Sequence, residues 1–370
     1  MAEESTARSR VRILSQEDVP AVAALFARAH PEFRWSSREA CERYFQEILF
    51  EHPWRRLDLP SWVAEDNEGL CGLYVVLPRP MLFRGRRIRA AIGCQFIVDP
   101  AARDRLTALR LAQACFSGPQ DLTLADGANE SARRMMLGLG GCAPPLLSLQ
   151  WTRILRAGRH ALALCEERKI LPSSMTRLLR PLGALVDVAV GRASRDRSWR
   201  AMNGAADPEI DANGIFDQLS GNEDPSALQP IYDRSSLTWL LEQSRLNTRH
   251  GTLRARAMRD DNGVVIGFYL YYLRPGAISE VIEISAAPGA YSRVLEHLLR
   301  DAWQAGAAAL RGRVDPRFVQ EMSDCRCWFR WEGAWTVAYS RDSDIMAAIR
   351  SGDASVSRLA GEWWLRFASG

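Results

Sequence analysis

A central stretch in the first half of the sequence alternates apolar and polar residues in a characteristic pattern. The pattern predicts a strand, a turn and a helix, and then the same series again. Ala90–Val98 is predicted to be a strand, Asp104–Cys115 a helix with one apolar face, and Asp121–Ala125 a second strand. Asp126-Gly127 is predicted to open a second helix. A strand that turns directly into a helix directs the free N–H groups of that helix toward a ligand. The pattern therefore favours a phosphate site.

The residues before this stretch predict two helices and two β-hairpins. The helices are expected over Val19–Ala29 and from Ser36 to about Phe50, each after a residue suited to cap a helix. Turn residues between short apolar runs predict the hairpins, whose strands include Leu70–Leu77 and Met81–Phe83. The predicted fold class is α/β, with a mixed and mostly antiparallel sheet flanked by helices.

The second half repeats the order of the first. Asp261-Asn-Gly263 precedes an apolar run as Asp66-Asn-Glu-Gly69 does, and the matching elements stay 184 to 195 residues apart. Leu146–Leu155 is predicted to be the last strand of the first copy, and Trp335–Ser340 the last strand of the second. We therefore expect two tandem copies of one fold, with domains at 1–155 and 214–370 and a helical, polar connector at 156–213.

Composition excludes several classes of protein. The 370 residues include 48 basic and 44 acidic side chains, a balance that does not favour nucleic acid as a partner. The sequence contains no apolar run of about 18 residues and no secretion signal at its start, so we expect no membrane span and a cytoplasmic location. The eight cysteines and five histidines do not have the spacing of metal ligands, so no metal is predicted.

The turn after Val98 carries a known motif. Val98, Pro100, Arg103 and Ala108 match V-x-P-x-x-[RQ]-x-x-G-x-[GA], with Leu106 in place of the first glycine. The motif continues in the next predicted helix with Asn129 and Ala132, and Gly140 and Gly141 follow them in the sequence. The chain thus resembles the GNAT superfamily of N-acyltransferases, and its second copy, whose turn contains Pro288 and Gly289 without spaced glycines, resembles it only weakly.

This resemblance implies an acyl group carried by coenzyme A, most simply acetyl-CoA, as co-substrate. The diphosphate would contact amides of residues 103 to 108, and the pantetheine arm would pair like an extra strand along residues 95 to 98. The residues implied to bind the cofactor are Gln95, Phe96, Ile97, Val98, Arg103, Asp104, Arg105, Leu106, Thr107, Ala108 and Asn129.

Members of the family often use a carboxylate on the central strand as base and a tyrosine in the second motif helix as acid. Here the central strand has Cys94, Gln95 and Phe96, and the helix has Met135-Met136. Candidate replacements are Tyr74 on the neighbouring strand, Glu130 at the helix start, and Glu283 on the equivalent strand of the second copy if the copies face each other. Glu283 alternates with apolar Ile282 and Ile284, which favours a raised pKa, although a solvent-facing position fits the same pattern.

The resemblance implies an N-acyltransferase that acts on a small-molecule or sugar amine. Two other functions fit the same architecture: a Fem-like transferase that takes an aminoacyl group from transfer RNA, and a non-catalytic relative that binds an acyl-CoA as a sensor or scaffold. The arginine-rich connector is interpreted as a solvated face, with contact to a membrane surface or to nucleic acid as the alternative. The oligomeric state is left open.

Overall fold

The computed structural model of the chain describes residues 9–33, 35–102, 104, 106–193, 208–221 and 227–366. These residues form two compact units that are interleaved along the chain. The first unit comprises described residues within 1–145, 225–231 and 333–355, and the second those within 146–224, 232–332 and 356–370. Each unit contains one mixed sheet with helices packed on it, which confirms the predicted fold class.

In the described part of the chain, the sheet of the first unit has seven strands: β1 (Arg10–Ile13), β2 (Trp62–Asp66), β3 (Gly69–Phe83), β4 (Arg86–Val98), β5 (Leu122–Ala128), β7 (Gln229–Pro230) and β13 (Trp335–Tyr339). Their order is β1-β2-β3-β4-β5-β13, with β7 beside β3. Neighbouring strands are antiparallel except β4 and β5, which run parallel.

Strand β3 is one long strand and not the two short ones predicted from Leu70–Leu77 and Met81–Phe83. The prediction was wrong because the residues between the two runs, which include Pro78 and Pro80, continue the strand. Both prolines pair with β4, but β2 covers β3 only as far as Tyr74. A proline lacks the N–H that a second neighbouring strand would require, so Pro78 is tolerated beyond the end of β2. Pro80 lies next to the segment that contains β7, but it contributes its carbonyl oxygen there, which accepts a hydrogen bond from the Ile231 N–H at 2.9 Å.

The helices of the first unit are α1 (Val19–Ala29), α2 (Arg38–Phe50), α3 (Thr107–Phe116), α4 (Glu130–Gly138) and α12 (Ser343–Ser351). A short helix, α5 (Pro145–Ser148), lies at the boundary between the units. The bounds of α1 confirm the prediction. Strand β5 runs through Asp126-Gly127, so the prediction that these residues open a helix is wrong. The side chain of Asn129 caps α4 instead.

In the second unit, the described residues form the strands β6 (Leu149–Ile154), β8 (Thr252–Arg259), β9 (Val265–Leu273), β10 (Ile278–Ala286), β11 (Ala309–Arg313) and β12 (Trp328–Trp331). The order is β12-β6-β11-β10-β9-β8, and only β10 and β11 are parallel. The helices are α6 (Ala157–Glu167), α7 (Ser173–Ala193), α8 (Ala212–Gly221), α9 (Arg234–Leu246), α10 (Tyr291–Gln304) and α11 (Val319–Asp324).

The two strands that were predicted to close each copy are exchanged. Strand β6 pairs with β11 and β12 in the second unit, and β13 pairs with β5 in the first. The assignment of Leu146–Leu155 to the first copy and of Trp335–Ser340 to the second is therefore wrong. Both segments have the apolar, tryptophan-containing pattern of a buried strand, and that pattern carries no information about which sheet the strand joins.

Each sheet buries its own core. In the first unit, Leu111, Cys115 and Phe116 of α3 pack with Tyr74 and Val76 of β3. In the second unit, α10 buries an apolar face of six side chains, Tyr291, Val294, Leu295, Leu298, Leu299 and Ala302. None of the helices in the described ranges combines the length and the apolar composition needed to cross a membrane.

Candidate functional site

Strands β4 and β5 of the first unit pair over only three residues and then separate. The pairs run from Ala90 with Leu122 to Ile92 with Leu124, although β4 continues to Val98 and β5 to Ala128. We call residues 93–98 and 125–128 the β4–β5 split. Along the split, no strand formed by the described residues lies beside the edge of β4 that would continue the ladder to β5. A strand edge of this kind can accept an extended ligand that carries amide groups.

A β-bulge at Gln95 coincides with the split. Tyr74 pairs with Phe96 and Val75 pairs with Cys94, so Gln95 is the extra residue on β4. Its φ is 22°, in a region that a non-glycine residue rarely adopts. A bulge bends its strand and increases the local twist, which accounts for the divergence of β4 from β5. The structure thus places Gln95 and Phe96, two predicted cofactor contacts, at the point where the edge becomes accessible.

Tyr74, a predicted catalytic residue, lies in the core beneath this bulge and is only 5% exposed. Its ring meets that of Phe96 edge to face, with 4.8 Å between centroids. A Cβ on Gly93 would lie 2.4 Å from the Tyr74 hydroxyl oxygen, so only glycine fits at that position. These contacts identify Tyr74 as a side chain that holds the shape of β4.

Asp104, a predicted cofactor contact, occupies the turn that leads into α3. Its Oδ1 accepts a hydrogen bond from the Leu106 N–H at 2.9 Å, and its Oδ2 accepts from the Ser9 N–H and hydroxyl and from Arg110. Burial opposes ionisation of this carboxyl, but the hydrogen bonds from Leu106 and Ser9 and the charge of Arg110 lower its pKa to about 2. Asp104 therefore supplies a negative charge at the place where a diphosphate was predicted.

The turn uses two of the amides that were predicted to hold the diphosphate. The Leu106 N–H binds the carboxylate of Asp104, and the Thr107 N–H binds its carbonyl oxygen at 3.2 Å. Helix α3 consequently begins at Thr107, three residues later than predicted. The next two amides, those of Ala108 and Leu109, have no acceptor inside the helix, as is general for a first turn, and remain suited to an anion.

The side chains around these amides differ in exposure. Leu106, at the position of the motif glycine, is 53% exposed, whereas Thr107 is buried. Arg103 and Arg105, which were also predicted to contact the cofactor, lie outside the described residues. The remaining predicted contacts, Ile97 and Val98, form the end of β4.

Asn129 and Glu130 lie together at the start of α4. The Asn129 side chain accepts a hydrogen bond from the Ala132 N–H at 2.9 Å, which is the geometry of a helix cap. Glu130 binds Arg133 and Arg134, and these hydrogen bonds lower its pKa to about 2. A carboxylate held in this state accepts a proton poorly near neutral pH.

The second unit has an equivalent split, between residues 281–286 of β10 and the end of β11, but an arginine closes it. Pairing of the two strands ends at Glu280 and Arg311. The buried Arg358 donates hydrogen bonds to the carbonyl oxygen of Val281 on β10 at 3.1 Å and to that of Arg311 on β11 at 3.4 Å. It also donates to the carboxylate of Glu280 at 2.7 Å and to the Gln150 side chain at 3.0 Å. One side chain thus binds acceptors on both strands where they begin to diverge.

Glu283, the third predicted catalytic residue, lies on β10 in this second unit, one residue past a bulge at Ile282. Its side chain is half-buried. Burial raises the pKa of Glu283 to about 7, against the effect of a hydrogen bond with Ser357. The raised pKa expected from its apolar neighbours is confirmed, but the carboxylate faces the C-terminal segment that carries Arg358.

Asp126 and Arg358 are two of the buried charged residues that sequence reasoning missed. Asp126, assigned to a helix entry, is fully buried on β5 within the β4–β5 split. Asp126-Gly127 is a turn signal, so the local sequence did not indicate that β5 extends through it. Arg358 lies in a segment without a motif, and nothing in its local sequence indicated a role. The described residues contain no cluster of three or more side chains that could hold a metal ion.

An apolar cleft of about 370 Å³ lies at the other end of α3. It is lined by Ala114 and Cys115 near the C-terminus of that helix, and by Trp62 and Val76 of the sheet. The cleft is therefore separate from the amides of Ala108 and Leu109 at the start of α3.

Comparisons with known proteins give a structural likeness only. No protein-family model matches the sequence, and no curated protein matches it. A probable N-acyltransferase from Enterococcus faecalis is 12% identical with a TM-score of 0.58, over 90% of this chain and 72% of that one. A GCN5-related N-acetyltransferase from Anabaena variabilis is 12% identical with a TM-score of 0.56, over 89% and 72%.

A third solved structure is the Saccharomyces cerevisiae N-myristoyltransferase with bound myristoyl-CoA and inhibitors. It is 12% identical, with a TM-score of 0.50, over 92% of this chain and 81% of that one. The chain therefore has a GNAT-like fold, as the residues from Val98 to Ala108 predicted.

Proposed function

We propose that this protein is an N-acyltransferase that moves an acyl group, most simply acetyl, from coenzyme A to the amine of a small molecule or a sugar. The GNAT-like fold supports this proposal, and two of the similar structures are those of a probable N-acyltransferase and an N-acetyltransferase. The yeast N-myristoyltransferase binds myristoyl-CoA, which supports an acyl-CoA as the donor.

The β4–β5 split carries the proposal. It gives the pantetheine arm, which contains two amide groups, a strand edge at residues 95–98 with which to pair. The same strand leads into α3, whose amides at Ala108 and Leu109 suit the diphosphate. A thioester bound along both features would have its carbonyl carbon near the start of the split.

We place the donor in the first unit because the second unit fills its own split. Arg358 already binds the carbonyl groups of Val281 and Arg311 where a ligand strand would start to pair. A pantetheine arm there would have to displace a buried guanidinium from Glu280, which costs several kcal/mol. The first unit is therefore the better site for coenzyme A.

Positioning of the amine beside the thioester can supply much of the rate, on the order of 7 to 11 kcal/mol. Of the candidate catalytic residues, Glu130 is bound by two arginines and Tyr74 is packed in the core, which makes them weaker candidates. Asp126 is the carboxylate that β5 contributes to the split, and we add it as a candidate base. Glu283 belongs to the second unit, so it is not part of the donor site proposed here.

Binding and turnover can be measured separately. Thermal shift with acetyl-CoA and longer acyl-CoAs reports binding, since a ligand at about 100 times its Kd adds about 2.7 kcal/mol to stability. Release of free coenzyme A thiol with a panel of amines and amino sugars reports turnover. Turnover supports an acyltransferase, whereas a shift without turnover supports the non-catalytic relative. A thermal shift with aminoacyl-tRNA, and none with any acyl-CoA, supports the Fem-like function.

A charge variant tests where the cofactor binds. Ala108→Glu adds a carboxylate to the first turn of α3 and should remove the shift that acetyl-CoA produces. Gln113→Glu adds the same charge to an exposed position further along α3 and is the matched control. Equal shifts in the two variants would contradict binding of the diphosphate at α3.

A further inference from the structure

Helices α6 and α7 form a tight hairpin, and one face of α7 is fixed against α6. Gly158 and Gly183 bring the helices together so closely that a Cβ on Gly158 would lie 2.2 Å from the Gly183 carbonyl oxygen. Asp187 of α7 accepts a hydrogen bond from the Gly158 N–H at 2.7 Å, and Thr176 is buried in the same contact face. These contacts determine which side of α7 points away from α6.

The other side of α7 exposes a stripe of large apolar side chains. Members of the stripe recur every three or four residues, which places them along one side of a helix. We call this set the α7 stripe, and its most exposed members are Leu178 at 80%, Leu185 at 66% and Leu182 at 57%. The others are Met175, Val186 and Val190. The largest apolar patch on a protein surface often marks a binding site.

Exposed positive charge accompanies the stripe. Four basic side chains of the hairpin are exposed and form no ion pair within the described residues: Arg168, Lys169, Arg177 and Arg180. The three carboxylates of the hairpin all have partners. Glu166 accepts from Thr176, Glu167 binds Arg311 and Asp187 binds Arg159. The Thr176 hydroxyl does not neutralise Glu166, so this carboxylate offsets one of the four basic side chains. The hairpin therefore presents apolar side chains together with a net positive charge.

We propose that the α7 stripe binds the surface of a membrane that contains anionic phospholipids. An amphipathic helix with leucine and valine on one face and arginine on its polar side lies in the plane of the lipid–water interface. The apolar side chains enter the boundary between headgroups and acyl chains, and the basic side chains remain near the anionic headgroups. This inference does not depend on the proposed acyl transfer.

A second copy of the chain is a poorer occupant of the stripe. Helix α7 has 21 residues, so it is about 30 Å long and roughly 10 Å wide. One side of this helix, and therefore the α7 stripe, covers at most roughly 300 Å². A stable interface buries about 800 Å² on each partner. Two copies would also bring the unpaired basic side chains of both hairpins together, which lowers the affinity.

Vesicle sedimentation tests the proposal with the full chain. We expect the protein to sediment with vesicles of phosphatidylcholine and phosphatidylglycerol, and to bind vesicles of phosphatidylcholine alone far more weakly. Added salt should release it, because screening weakens the attraction to anionic headgroups. Arg177→Gln and Arg180→Gln should each weaken binding roughly fivefold, since one basic residue near an anionic surface contributes about that factor.

The double variant Leu182→Gln/Leu185→Gln should weaken binding to the anionic vesicles at least about tenfold. Val264→Gln, at an apolar position that is 58% exposed in the turn between β8 and β9, is the control and should bind like the wild type. Circular dichroism should show the same folded state for all variants. Two results would overturn the proposal: equal binding by the double variant and the wild type, or self-association without vesicle binding that the double variant abolishes.

Discussion

Arg358 donates a hydrogen bond to the carbonyl oxygen of Val281 at 3.1 Å, one residue after β10 stops pairing with β11. A guanidinium on the backbone of a separating strand satisfies the acceptor that a bound ligand would otherwise use. The same guanidinium neutralises Glu280, so the two functions of the side chain cannot be separated. The second unit thus keeps the divergent strands of a GNAT-like fold but fills the space between them.

Removal of Arg358 should destabilise the protein strongly. Arg358→Ala leaves the buried carboxylate of Glu280 without one of its two arginines, and a broken buried ion pair costs about 3–5 kcal/mol. Urea unfolding measures the loss. Arg330→Ala, at a half-exposed ion pair with Glu332, is the control and should cost about 1 kcal/mol or less. A similar small cost for Arg358→Ala would contradict its structural role.

Asp104→Asn should weaken the fold and strengthen the binding of coenzyme A. Loss of the charged acceptor at the start of α3 should cost about 1–2 kcal/mol, while it removes a negative charge beside the proposed diphosphate. Titration with acetyl-CoA measures the affinity, which should rise several-fold. Asp99→Asn, in the same turn but paired with Arg28, is the control. Equal affinity in all three proteins would show that the diphosphate does not bind near Asp104.

The difference in stability between the wild type and Asp104→Asn should depend on pH. Because the pKa of Asp104 falls from 3.8 to about 2 on folding, its ionised form stabilises the protein above pH 3.8, and that contribution is lost as the pH falls toward 2. The wild type should therefore lose more stability than Asp104→Asn between these pH values. Acid unfolding followed by circular dichroism measures the difference.

Glu283→Gln should stabilise the protein at alkaline pH. The pKa of Glu283 rises from 4.5 to about 7 on folding, so its contribution is full below pH 4.5 and is lost as the pH rises through 7. The variant should match the wild type near pH 5 and exceed it at pH 8 by about 1–3 kcal/mol. Glu242→Gln, at an exposed position on α9, should show no such crossover. Parallel stability curves for Glu283→Gln and the wild type would contradict a raised pKa of Glu283.

The exchanged strands predict how fragments behave. Residues 1–155 alone lack β13, so the edge of β5 would be exposed and the fragment should aggregate or stay unfolded. Residues 1–145 joined by a flexible linker to 333–355 restore β13 and should fold better. Proteolysis and circular dichroism compare the two. A well-folded fragment 1–155 would contradict the exchange.

Local features of the fold could be predicted because the residues that form them are close in sequence. Helix α1 and the order from β4 to α4 follow from apolar periodicity and capping residues. The full length of β3 could not be predicted, since the tolerance of Pro78 depends on where β2 ends. The sheets that β6 and β13 join could not be predicted either. Pairing across about 200 residues depends on tertiary contacts that a strand pattern does not encode.

The candidate site shows the same limit. The motif from Val98 to Ala108 located the turn into α3 and the divergent strand, but it did not indicate that Asp104 would occupy two of the predicted amides. A carboxylate that binds the backbone two residues later is common in turns and has no signature beyond the residue itself. The contact between Arg358 and Glu280 joins residues 78 positions apart and was not predictable from either.

Hydrogen–deuterium exchange with and without coenzyme A tests most directly whether the first unit holds the donor. Bound pantetheine would pair with β4 and the diphosphate with α3, so exchange should slow in peptides that cover Gln95–Val98 and Thr107–Leu109. Peptides that cover Val281–Ala286 of β10 should exchange at the same rate in both states. Protection of β10 instead, or of neither strand at saturating coenzyme A, would contradict the account.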